Sequence, residues 1–148
     1  MKPIRTLVLV ADEEHARLFE KAAVTEPLVE LFSIEKSDFS DTDQSYSDFP
    51  GRSSAAPGMA VHSFDRTATE REQERHVFAA HVLDATARHL KDGDYRRLAV
   101  AAPPKMLGSL RAGMKGPLAD IERFEVDKNL TKETPENLVA RFSDKINL

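Results

Sequence analysis

The chain has 148 residues, 41% hydrophobic and 31% charged, which is enough apolar material for one domain with a real core. Lys and Arg number 21 against 25 Asp and Glu, a formal net charge of -4, and this balance argues against a protein that coats DNA with a uniformly basic surface. Cysteine is absent, which excludes disulfides, thiolate zinc sites and cysteine nucleophiles, and the apolar run Thr6 to Ala11 is too short for a signal peptide or membrane span, so a cytoplasmic domain is expected.

Ile4 to Ala11 is a short run rich in Val and Leu, the pattern of a strand buried on both faces. Asp12-Glu13-Glu14-His15 interrupts it, and Ala16 to Glu20 resumes as the second arm of a hairpin. Leu28 to Ile34 predicts a third strand with Glu30 and Ser33 as polar interruptions. From Glu35 to Arg66 apolar periodicity disappears among Asp38, Asp41, Asp43, Asp48, Pro50, Gly51, Pro57 and Gly58. This stretch predicts a mobile loop of roughly thirty residues, a length that in compact domains is functional or disordered. Thr69-Glu70-Arg71-Glu72 fits a capping box opening a helix that runs to about Lys91 and stops before Gly93. Ala79, Ala80, Leu83, Ala87 and Leu90 fall near one face of it.

Leu98 to Ala102 predicts a fourth, buried strand ended by Pro103-Pro104, and a short helix follows with Met106, Leu107, Leu110 and Met114 inward. Ile121 to Asp127 has a period of two and reads as a half-exposed strand. Thr134 caps a final helix with Pro135 at its first position and Val139, Phe142 and Ile146 on its inner stripe. The order β-β-β-α-β-α-β-α predicts a single α/β domain over residues 1–148. Its five-stranded mixed sheet takes the order 3-2-1-4-5 with only the second strand reversed, flanked by helices in a ribonuclease H-like topology.

Four strands then point their carboxyl ends to one edge, where ligands of such sheets bind. The edge collects Asp12, Pro103 to Leu110, and Asp127-Lys128-Asn129. Between Thr86 and Lys115 seven Lys and Arg face only Asp92 and Asp94, a local +5 that reads as a phosphate-binding face or as solvated helix ends. Lys105 opens the helix after the two prolines, Lys128 arrives from the fifth strand, Gly108 leaves the backbone open, and Arg111 lies six residues on. The anion- or RNA-binding candidates are therefore Lys105, Lys128, Arg111, Asp12 and Asp127, with Lys105 the main side chain.

No catalytic set is legible. The fourth strand carries no acid for two-metal chemistry, and Glu70, Glu72 and Glu74 read as first-turn dipole partners. His15, His62, His76, His81 and His89 lack the i, i+4 spacing of a helical metal clip, and His81 is expected half-buried and hydrogen-bonded. Gly108-Ser109 is no nucleophile elbow and Gly51-Arg52-Ser53-Ser54 no phosphate loop, so neither metal nor cofactor is expected.

LVLVADEEHARLFE at the start, PGRSS and HSFDR in the loop, LAVAAPPKMLGSLR in the middle and VDKNLTKETPENLV near the end together resemble the bacterial host-attachment protein family. The family is named for a role in attachment to host cells, and the resemblance spans nearly the whole chain. It is in turn similar to the middle domain of archaeal and eukaryotic peptide-chain release factors, an α/β domain of ribonuclease H-like topology. In those factors the loop before the long helix carries a Gly-Gly-Gln motif that promotes peptidyl-tRNA hydrolysis. The resemblance sets that motif against Met59 to Arg66, where Ser63, Phe64 and Arg66 echo its flanks but the glycines and glutamine are missing. It adds Arg52, His62, Ser63, Asp65 and Arg66 as loop candidates. What it implies is a non-catalytic, translation-linked domain that binds RNA, the ribosome or tRNA. Two alternatives stand beside it: a protein-interaction module in attachment to host cells, and a hydrolase using the sheet-edge carboxylates, with Asp12 and His62 activating water. Limited proteolysis is expected to cut first between Glu35 and Arg66, and early cleavage within Thr69 to Lys91 would contradict this division of the chain.

Overall fold

Six consecutive apolar or small residues with no charge among them make a strand that both faces of a sheet can cover, and Thr6–Ala11 does form such a strand, β1, buried throughout. A computed structural model describes the backbone of residues 3–39 and 63–148, and the side chains of the same residues except 63–67. In it β1 pairs antiparallel with β2 (His15–Lys21) and parallel with β4 (Arg97–Ala101). At the edges β3 (Leu28–Glu35) lies antiparallel to β2, and β5 (Glu122–Val126) parallel to β4. The order β3-β2-β1-β4-β5 is the one expected from the element sequence.

The period of two divides the apolar residues between two layers. Leu7, Leu9, Leu18, Leu98 and Val100 face α1 (Ser63–Asp92) and α2 (Pro104–Gly113), where Phe78, Val82, Leu83, Met106 and Leu110 meet them. Val8, Val10, Phe19, Ala99 and Ala101 face the opposite way, under α4 (Pro135–Phe142) and the residues after it. Leu138 joins Phe142 and Ile146 as the buried stripe of that end, whereas Val139 is only partly covered. Thr134 caps α4 as expected, its hydroxyl accepting from the Asn137 amide at 3.2 Å.

The expected loop is shorter at both ends than the sequence suggested. β3 continues to Glu35, and a 3-10 turn, Lys36–Phe39, follows it. One aromatic orders this polar stretch: Phe39 stacks on His81 at 4.0 Å and meets Phe78 edge-on, while Asp38 accepts from the Glu35 amide. His81 is half-buried as expected. α1 begins at Ser63, so Thr69 and Glu72 lie inside the helix and their capping-box spacing marks no terminus. That spacing is also one helical turn, and the strong helix formers around it let the helix extend. The part of the expected loop at 40–62 lies outside the described residues. Lys36 with Glu74 and Arg75 with Glu13, each at 2.6 Å, tie α1 to the sheet edge. A one-turn helix, α3 (Pro117–Asp120), was not foreseen; Gly116 introduces it at φ 55, a left-handed conformation natural to glycine.

At the amino end of the sheet Tyr95 donates to Glu20 at 2.7 Å, Arg5 also hydrogen-bonds Glu20, and the Arg5 guanidinium lies 4.5 Å over the Tyr95 ring. The hydrogen bond from Tyr95 leads in holding the Glu20 carboxyl below its ordinary range, against an opposing effect of burial. Burial, then the Glu20 contact, pushes the Tyr95 phenol up to about 12. Gly93 makes this cluster possible, because a Cβ there would stand 2.2 Å from the Tyr95 ring. Gly93→Ala is therefore expected to lower stability by about 1–3 kcal/mol through displacement of Tyr95, read as the urea midpoint at constant m value. An unchanged midpoint would show that the ring moves freely.

Candidate functional site

β1, β3, β4 and β5 end at one edge, and the side chains there are anchored before they are available for function. Asp12 closes the β1–β2 turn. Its amide donates to the His15 carbonyl at 2.8 Å, and its Oδ1 accepts from the Glu14 and His15 amides at 2.8 and 2.7 Å. Oδ2 accepts from Asn129 Nδ2 and Thr131 Oγ1, both at 3.1 Å. Burial works to raise the Asp12 carboxyl, but these four hydrogen bonds outweigh it and hold the group below its ordinary value of 3.8. A carboxylate engaged in this way is a weak base. Its evident work is to fasten the first hairpin to the loop after β5.

Arg17 fastens the same loop from a second direction. Its guanidinium takes both Glu30 oxygens at 3.0 and 3.1 Å and donates to the Thr131 and Glu133 carbonyls at 3.0 and 2.9 Å. With residues 129–133 fixed, Thr134 starts α4 at a set place, and the last turn of α4 and the residues after it reach the open edge of β5.

Between α2, β5 and α4 this arrangement leaves an open cavity of about 750 Å³. Arg111, Arg123, Lys128, Arg141 and Lys145 line it together with Glu125, Asp127 and Asp144. Five cations against three carboxylates make a positive hollow on a chain of net charge -4. Glu125 takes up part of that charge, accepting from Arg111 Nε at 2.7 Å with Arg123 Nε 2.8 Å from its other oxygen. The Arg111 hydrogen bond is the main cause holding the Glu125 carboxyl low, against burial. Arg141 stands 3.3 Å from Glu133, whereas Lys128 and Lys145 make no ion pair with a described residue. Charged donors around an open hollow can hold phosphate oxygens.

Of the candidates named from sequence, Arg111, Asp127 and Lys128 come together in this cleft. Lys105 is exposed in the first turn of α2, outside the lining, and Asp12 stands apart in its own hydrogen-bond set. Arg52 and His62 lie outside the described residues. Ser63, Asp65 and Arg66 are in the opening turns of α1, and their side chains are outside the description. The basic run from Thr86 to Lys115 is not one face. Arg88 and Lys91 close α1 and Arg97 opens β4 at the amino edge, where Arg97 bonds Thr6 Oγ1, while Lys105 and Arg111 sit on α2. Arg123, Arg141 and Lys145 were missed: Arg123 reads as one polar position of a half-exposed strand, and nothing local says that the end of α4 reaches β5.

A family model for bacterial archaeo-eukaryotic release factor family 12 matches residues 5–141. No curated protein matches the chain. Among the described residues no helix is long and apolar enough to cross a membrane.

Asp12→Asn is expected to cost about 1–3 kcal/mol, since the new amide would put a donor against the donors of Asn129 or Thr131. Because the folded carboxyl titrates below its unfolded value, its contribution is complete above the ordinary carboxyl range and fades as pH falls through the folded value. The difference in stability between wild type and variant should therefore shrink in acid. A difference that persists unchanged below the folded value would contradict the assignment of charge to Asp12.

Proposed function

Because the chain belongs to bacterial archaeo-eukaryotic release factor family 12, we propose that it is a translation-linked domain that binds RNA on the ribosome through its sheet edge, without catalysing peptide release. The observation that carries this reading is the cleft beside β5, where five cations outnumber three carboxylates on an otherwise acidic chain. A local positive field of this kind draws a polyanion to one face while the rest of the surface repels it. The non-catalytic part rests on the sequence. No two glycines are adjacent anywhere in the 148 residues, so the Gly-Gly-Gln arrangement that places backbone and glutamine groups beside a peptidyl ester has no counterpart. The engaged lone pairs of Asp12 also weigh against the alternative in which it activates water. A role in attachment to host cells would then be an indirect effect of a translation-linked protein.

Co-sedimentation with bacterial ribosomes tests the reading. The protein should pellet with ribosomes at about 50 mM salt and largely dissociate by about 200 mM, as binding through phosphates requires. The double variant Lys128→Glu/Lys145→Glu should bind at least about tenfold more weakly with its unfolding midpoint nearly unchanged, since both ammonium groups are exposed. Absence of pelleting at low salt, or equal pelleting of the variant, would overturn RNA binding by this cleft, and salt-insensitive pelleting would indicate a protein partner instead. Release of a model peptide should stay at the no-protein background, and release above it would contradict the non-catalytic assignment.

A further inference from the structure

Between Leu98 and Ala119 the sequence contains no Asp or Glu, yet it carries Lys105, Arg111 and Lys115. α2 occupies the middle of this stretch. At about 100° per residue its exposed positions, Pro104, Lys105, Gly108, Arg111 and Ala112, fall within one arc, and Gly108 lies at the centre of that arc. Lys105 and Arg111 flank it on either side. Met106, Leu107, Ser109 and Leu110 take the buried arc.

Three of the four described glycines have a reason inside the fold. A Cβ on Gly93 would strike Tyr95 at 2.2 Å, one on Gly113 would meet Leu83 at 2.8 Å, and Gly116 has a positive φ. Gly108 has none of these reasons. A Cβ there would meet nothing within 4 Å, so packing does not require glycine, and a glycine inside a helix lowers its stability. Lys105 and Lys115 make no ion pair with a described residue. The Arg111 side chain bonds Glu125 but stays 53% exposed.

We infer that the exposed face of α2 is where the sugar-phosphate backbone of a bound RNA strand lies against the protein, with the bare helix backbone at Gly108 as the point of closest approach. Lys105 and Arg111 are the charges on either side of that contact. The inference rests on the proposed RNA-binding function and adds the path of the strand. Because Arg111 belongs both to this face and to the cleft, the strand crosses α2 and continues along the open edge of β5. The favourable helix propensity of alanine is forgone at position 108 in exchange for contact.

The test combines thermal unfolding with fluorescence anisotropy on a labelled 16-nucleotide oligouridine, and with ribosome co-sedimentation. Gly108→Ala should raise the melting temperature by about 2–4 °C while weakening oligouridine and ribosome binding by about tenfold. Lys105→Gln should leave the melting temperature unchanged and reduce the slope of log affinity against log salt by about 0.7, the loss of one phosphate contact on a single strand. Gly108→Ala that binds as wild type does, or that melts lower, would overturn the inference while leaving the proposed function standing. If wild type binds neither oligouridine nor ribosomes, the proposed function falls and this inference with it.

Discussion

The constraint on which the architecture depends is that β1 is buried along its whole length and on both faces. A strand in that position can carry no charged side chain, because an unpaired charge has no partner or water there. Its neighbour β4 is nearly as enclosed, with Leu98 to Ala101 buried. Apart from Thr6 and Arg97 at their amino ends, the two central strands therefore supply only apolar layers, and the polar groups that could act on another molecule are pushed toward the strand ends, the edge strands or the outer helix faces. The parallel pairing of β1, β4 and β5 then brings several of those ends to one side.

What happens at that side follows from anchoring. Asp12 and Arg17 both hold residues 129–133, one through side chains and the other through carbonyls, and neither is left over for chemistry. Their combined effect is positional: the loop they secure sets the start of α4, whose far end reaches β5, and Arg141 and Lys145 arrive with Arg111 and Arg123 in one lining. A chain of net negative charge thereby acquires a positive hollow whose cations come from three separate stretches of sequence. Glu125, gripped by Arg111 and Arg123, keeps those side chains oriented at the rim.

The parts of this arrangement set by short-range pattern were legible in the sequence. Thr6–Ala11 and Leu98 to Ala101 announce two-faced burial by their composition, Met106, Leu107 and Leu110 announce the inner face of α2 by their spacing, and Thr134-Pro135 announces the start of α4 by its capping chemistry. The parts set by distant partners were not. Phe39 is one aromatic in a polar stretch, and only its contacts with Phe78 and His81 order the turn that holds it. Asp12 reads as a free strand-end carboxylate until Asn129 and Thr131, more than a hundred residues away, occupy one of its oxygens. The candidate site was half legible for the same reason. Arg111, Asp127 and Lys128 follow from the topology, whereas Arg141 and Lys145 depend on where the far end of α4 comes to lie.

The central claim is that RNA meets this protein at the α2–β5–α4 side of the sheet. Ultraviolet cross-linking of the protein to ribosomes, followed by mass-spectrometric mapping of the RNA-linked peptides, tests it most directly. The account predicts adducts within residues 103–115, 123–128 and 141–148, where Phe124, Lys128 and Lys145 line or border the cleft. Adducts confined to the opposite sheet edge at Leu28–Glu35, or none at low salt, would contradict it.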